Sequence, residues 1–149
     1  MHYATIDFER TSLTEGLATA GLKRHEPAFF TWLGVTQYLT REAVLRTLRE
    51  VATMSTVEST LVVEFLAPPP RTLNGEDAAL FNSMAEAVAK LGEPWLSFFT
   101  SDDLQDALTQ AGFRSVEHFG PAEAFDRYLR GRTDGARLHG YHRMAKATT

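Results

Sequence analysis

Apolar positions along this chain switch between a period near two and a period near 3.6, and the switches predict its elements. Thr60-Leu61-Val62-Val63-Glu64-Phe65-Leu66 is nearly continuous and rich in β-branched residues, which predicts a strand. Ala28–Leu33 is also unbroken and apolar, as expected of a strand buried on both faces of a parallel sheet. Val44, Leu45, Leu48, Val51 and Ala52 recur at helical spacing behind Thr40, a suitable N-cap. Ser12 and Glu15 have capping-box spacing, and Leu13, Leu17 and Ala20 then share one helical face up to Gly21.

The remaining elements follow in the same way. Tyr3–Phe8 reads as a short strand ending in an acid. Ser55–Ser59 is a polar break, and Pro68-Pro69-Pro70 ends the strand that follows it, since proline neither donates to a ladder nor continues a helix. Glu76–Leu91 predicts a helix with Leu80, Met84, Val88 and Leu91 facing inward, and Gly92 and Pro94 close it. Thr100 with Asp103 opens a helix carrying Leu104, Leu108 and Ala111, stopped by Gly112. Arg114–Phe119 reads as a strand, and Pro121 suits the first turn of a short helix ending near Arg130. From Arg137 to Ala145 the chain alternates, with Leu138, Gly140, His142 and Met144 on one face, which predicts a half-exposed antiparallel edge strand. Strands alternating with helices imply an α/β fold with right-handed crossovers.

Composition narrows the classes of function. The 149 residues amount to a single domain, in which roughly 68–70% of the unfolded chain's surface can be buried. A net charge of −4 with 15 scattered basic residues argues against a nucleic-acid partner. No apolar run approaches the roughly 20 residues of a membrane span, and the start lacks a signal-peptide pattern. Cysteine is absent, so thiolate chemistry and disulfides are excluded, in keeping with a cytoplasmic protein. His139 and His142 alternate faces of the predicted strand, which disfavours a joint metal site, and no metal is expected. His2, His25 and His118 are isolated.

Phe29-Phe30-Thr31-Trp32-Leu33-Gly34-Val35-Thr36-Gln37-Tyr38-Leu39-Thr40 joins the central strand through a glycine turn to a helix, and open α/β sheets place ligands at such turns. Its wording resembles the fourth-strand segment of the class I S-adenosylmethionine (SAM)-dependent methyltransferases related to leucine carboxyl methyltransferase. Ile6-Asp7-Phe8-Glu9 resembles the third-strand acid motif of the same group, and Gly92-Glu93-Pro94-Trp95 with Phe98-Phe99-Thr100 resembles the segment before its late helix. Leu108–Phe113, Gly120-Pro121-Ala122-Glu123 and Arg127–Arg132 are similar to its C-terminal third.

The resemblance implies a truncated Rossmann-like methyltransferase sheet of about five strands, the last antiparallel, with helices on both faces. The family's strand order is third, second, first, fourth, fifth, seventh, sixth, and Met1 falls where its third strand would start. The expectation is therefore a C-terminal portion lacking the glycine-rich strand-turn-helix that approaches SAM. SAM is the implied cofactor and a small carboxylate or hydroxyl the implied methyl acceptor. Asp7 and Phe8 would meet the adenine end, while Trp32, Leu33 and Gly34 would line the pocket beside the methionine portion, where a Trp face also suits a sulfonium cation. Many relatives carry Glu where Leu33 stands. Tyr38 and Glu64 are candidates to face the acceptor. Plainer roles stand beside these: Asp7 as a surface acid, Phe8, Trp32 and Tyr38 as packing, Glu64 as an acid capped by backbone amides.

Losing the first two strands would leave the 28–33 strand with an open edge, which is a template for pairing. Either strand 3–8 folds in beside it, or a homodimer forms through that edge or by exchange of strand 3–8. Two further readings remain open: an inactive remnant serving as a dimeric interaction module, and one half of a split enzyme completed by a separate N-terminal chain.

Overall fold

A computed structural model describes residues 2–54, 57–68 and 75–149, with Glu76 described only in its backbone. Ser55, Thr56, Pro69 and Pro70, on which part of the predicted break and strand terminator fell, lie outside the described residues, as does Met1. The elements in order are α1 (Leu13–Thr19), β1 (Phe29–Trp32), a 3-10 turn (Thr36–Tyr38), α2 (Arg41–Met54), β2 (Thr60–Leu66), α3 (Gly75–Lys90), α4 (Ser101–Ala111), β3 (Ser115–Phe119), α5 (Pro121–Ala124), a π turn (Phe125–Leu129) and β4 (His142–Thr148).

Four strands make one sheet in the order β1-β2-β4-β3. β1 and β2 are parallel with Phe30 opposite Leu61, and β4 runs antiparallel to both β2 and β3, with Ala145 between Val63 and His118. Strand alternation sends Phe30, Trp32, Leu61, Val63, Phe65, Ala145 and Ala147 to one face, where they form the main core with Val44, Leu48 and Val51 of α2, Leu104 and Leu108 of α4, and Leu13 of α1. The other face carries Phe29, Thr31, Val62, Glu64, Met144 and Lys146. Over it lie α5 and the π turn, where Tyr128 packs on Phe119, and α3, whose Phe81 joins Leu66 and Tyr141 in a second cluster flanked by Trp95 and Phe98. Helices thus occupy both faces.

Several expectations are corrected. Tyr3–Phe8 is not a strand: residues 2–7 have no regular structure, and Phe8 lies in a turn closed by Arg10 and Thr11 amides donating to the Asp7 carbonyl. Its apolar residues act as single anchors. Ile6 sits so close to α1 that a Cβ on Gly16 would fall 2.6 Å from Ile6 Cγ1, so glycine there permits the approach. The sheet accordingly has four described strands rather than about five.

β1 is buried on one face only, since Phe30 and Trp32 pack into the core while nothing comparable among the described residues covers the other side: Trp32 is 8% exposed but Phe29 68%, and Leu33 just past the strand 48%; β1 also ends the sheet. The C-terminal strand is central, not an edge, and it runs on to Thr148. Ala145 and Ala147, fully buried, are small enough to sit beneath the helices between β2 and β3. His139 lies before this strand rather than in it. In α3, Leu91 lies past the last turn and is exposed, as is Met84, while Phe81 supplies the buried contact.

Candidate active site

The crevice of a sheet of this kind lies beyond the carboxyl ends of its parallel strands. Here β1 ends at Trp32, and Gly34 turns the chain with φ +69, a left-handed conformation that glycine adopts without steric penalty. The turn is fastened from β2. Glu64 Oε2 accepts from the Gly34 amide at 3.0 Å, and Thr36 Oγ1 donates to the Glu64 carbonyl at 2.9 Å. Residues 96 and 97 close the far side: the Leu96 amide donates to the Gln37 carbonyl at 2.6 Å, and Ser97 Oγ to the Thr36 carbonyl at 2.8 Å. Gln37 Oε1 is buried there with no hydrogen-bond partner among the described residues.

Glu64 has a second partner that the sequence reading missed. His142, the first residue of β4, lies opposite Leu66 in the antiparallel register and so comes to the face that Glu64 occupies. Its Nδ1 lies 2.9 Å from Glu64 Oε1, with side-chain exposures of 28% for His142 and 16% for Glu64. The hydrogen bond from His142 holds the Glu64 carboxyl below the ordinary range; burial opposes this, while the histidine's charge and the Gly34 amide reinforce it. Only the β2–β4 register joins residues 78 positions apart, and no spacing motif announces it.

The implied cofactor residues fall into two groups. Phe8 stacks on Trp32 with ring centroids 5.5 Å apart, and both line a cleft of about 290 Å³ with Ile6, Leu17, Thr31 and Val51. Trp32 Nε1 is buried there without a partner among the described residues. Asp7 is exposed and organises its own turn: its Oδ1 accepts from the Glu9 amide at 3.0 Å, and Oδ2 has no partner among the described residues. Leu33 and Gly34 lie at the end of β1, on the Glu64 side. Tyr38 is half-buried at the end of the 3-10 turn, without a side-chain hydrogen bond among the described residues.

Glu9 next to this group accepts from the Thr40 amide at 2.7 Å and from Thr40 Oγ1 at 2.9 Å, tying the N-terminal turn to the start of α2. Thr40 Oγ1 in turn accepts from the Ala43 amide, as an N-cap does. The cleft itself is flat and apolar, with the stacked Phe8 and Trp32 rings in its lining, which suits the face of a planar base, while the Trp32 N–H is itself buried and Asp7 lies outside the lining. The sequence holds no Gly-x-Gly step to bring backbone amides against the methionine end.

A second cavity of about 570 Å³ opens on the same sheet face as Glu64, between β3, β4 and the π turn, lined by Val62, Phe119, Tyr128, Leu138, Met144 and Lys146. Among the described residues no cluster of His, Asp and Glu is arranged to hold a metal, and no helix is long and apolar enough to cross a membrane.

The sheet order, two parallel strands followed by an antiparallel pair with its last strand inserted, defines a Rossmann-like methyltransferase fold. Solved structures agree: a SAM-dependent methyltransferase from Archaeoglobus fulgidus superposes with a TM-score of 0.54 at 13% identity, over 91% of this chain and 64% of its own. A SAM-dependent methyltransferase from Thermotoga maritima gives 0.55 at 14% identity, over 86% and 58%. Residues 1–52 match the family model of leucine carboxyl methyltransferase. The "Putative S-adenosyl-L-methionine-dependent methyltransferase YktD" of Bacillus subtilis (strain 168) is 27% identical over 134 residues, 90% of this chain and 43% of that protein. The chain is thus similar to SAM-dependent methyltransferases in fold and, over residues 1–52, in sequence, and it spans less than half the length of that curated relative.

Proposed function

We propose that this chain forms part of a SAM-dependent methyltransferase site that O-methylates a small carboxylate or hydroxyl acceptor. Residues 1–149 act as one domain corresponding to the C-terminal portion of the fold. The strand order supports this, since β1, β2, β4 and β3 take the places of the family's fourth, fifth, seventh and sixth strands. The observation that carries the reading is the pairing of Phe8 with Trp32 in the lining of a cleft of about 290 Å³ beside β1. Asp7 and Phe8 would meet the adenine, and Trp32, Leu33 and Gly34 would flank the methionine portion. The cofactor supplies an already activated methyl group, so the protein's part is alignment and exclusion of water. Tyr38 and Glu64 stand on the acceptor side.

Calorimetric titration of the full chain with SAM and with S-adenosylhomocysteine tests this. Saturable heat is expected, weakened in Asp7→Ala, and no heat at millimolar cofactor would end the reading for this chain. The exposed edge of β1 favours a second proposal, a homodimer formed through that edge. A soluble, cytoplasmic setting completes the reading.

A further inference from the structure

We propose that His142 and Glu64 form a proton-accepting pair in which His142 Nε2 is the general base for a protic acceptor, a phenol or alcohol hydroxyl, and Glu64 is the positioning residue behind it. The assignment deepens the methyltransferase reading and rests on it. Both oxygens of the Glu64 carboxylate are engaged, Oε1 by His142 Nδ1 at 2.9 Å and Oε2 by the Gly34 amide at 3.0 Å. A carboxylate held at both ends cannot swing away from the ring it orients. Donation from Nδ1–H fixes the neutral imidazole with its lone pair on Nε2. Tyr141 lies against the ring at 4.8 Å and holds its plane. No hydrogen bond among the described residues engages Nε2, and the ring retains access to solvent.

Position supplies the second half of the argument. Through Gly34 the pair is bonded directly to the turn at the end of β1, where the methyl donor is proposed to lie, so an acceptor reaching the donor passes close to it. A carboxylate acceptor is already ionised near neutral pH and gains nothing from a base; a hydroxyl does. In the transfer, the acceptor O–H bond breaks, its electron pair stays on oxygen, and an N–H bond forms at Nε2. The resulting imidazolium faces the Glu64 carboxylate, the same electrostatic logic by which a buried carboxylate supports a histidine base elsewhere. A mere clamp between β2 and β4 would fix the same Nδ1–H tautomer, so what separates the two roles is whether Nε2 is free to take a proton from a bound hydroxyl.

Long-range proton–nitrogen spectra of the full chain decide the first point. Neutral His142 is expected as the Nδ1–H tautomer with an unprotonated Nε2; the Nε2–H tautomer would overturn the proposal, and this measurement needs no variant. The second point uses 4-nitrophenol, whose phenolate is coloured. Its binding just below neutral pH is expected to increase the phenolate signal, His142→Gln to abolish the increase, and Glu64→Gln to diminish it. Failure of the probe to bind, binding without ionisation, or an unchanged His142→Gln response would overturn the assignment. Where methyl transfer to a phenol is measurable, His142→Gln is expected to lower kcat by about 10²–10⁴-fold with little change in KM. SAM binding without phenol ionisation sinks only the base; phenol ionisation without SAM binding sinks only the methyltransferase reading.

Discussion

Glu64 joins three pieces of backbone through one side chain: β2, which carries it, the Gly34 turn after β1, and β4 through His142. Because its folded-state pKa is depressed, chiefly by the His142 hydrogen bond, the unfolded chain takes up the proton more readily as pH falls. The sign follows: Glu64's contribution to stability is complete above the unfolded carboxyl value of about 4.3 and disappears as pH drops through its lower folded value. Glu64→Gln removes the titration. The stability gap between wild type and Glu64→Gln, measured by urea unfolding at a series of pH values, is therefore expected to be widest near neutrality and to narrow below the ordinary carboxyl range. A gap independent of pH would show that packing rather than charge is lost. At this scale the sequence revealed half of the pair. Glu64 stands out as an acid inside an apolar strand, whereas His142 is one of five histidines until the register of β4 is known.

Elements were legible wherever periodicity and caps agreed. α4 shows both: Leu104 and Leu108 are fully buried, Gly112 at φ +112 ends the helix, and Thr100 and Asp103 bond reciprocally. Thr100 Oγ1 accepts from the Asp103 amide at 3.0 Å, and Asp103 Oδ2 from the Thr100 amide at 3.2 Å. Thr100→Ala leaves an orphan amide at the helix start and is expected to cost about 1 kcal/mol, with Thr100→Ser retaining most of it. A lowered urea midpoint at constant slope would check this.

Elements were misread where a pattern depends on neighbours that the sequence does not specify. Tyr3–Phe8 alternates like a strand, yet a strand exists only with a ladder partner, and these residues are held by Ile6 against Gly16 and Phe8 against Trp32. The tail alternates through Leu138–Met144, but its ladder begins at His142 and continues through the buried Ala145 and Ala147. Alanine carries too weak a hydrophobic signal to mark a central strand by itself. β1 reads as doubly buried because Phe29-Phe30 and Trp32-Leu33 are all apolar, and only the sheet order shows that one flank has no neighbour among the described residues.

For the whole molecule the consequence of that order is an uneven sheet. β2 and β4 are paired on both sides, β3 is backed by α4 and α5, and β1 presents its outer backbone groups beside the exposed Phe29 and Leu33. Natural edges are usually blunted by charge, proline or a bulge, and Phe29-Phe30-Thr31-Trp32 has none of these. Because residues 2–7 do not fold alongside it, these groups have no ladder partner among the described residues. Two copies pairing β1 to β1 across a two-fold axis would close the sheet into a continuous eight-stranded one by an isologous contact. Sedimentation over a range of concentrations is expected to show a monomer–dimer equilibrium. Phe29→Lys places a charge on that edge without touching the core, because Phe29 points away from α2, and should return the protein to monomer with an unchanged circular dichroism spectrum. A wild-type chain that stays monomeric at every concentration, with the outward amides of β1 exchanging freely, would show that water satisfies the edge and that the dimer does not form.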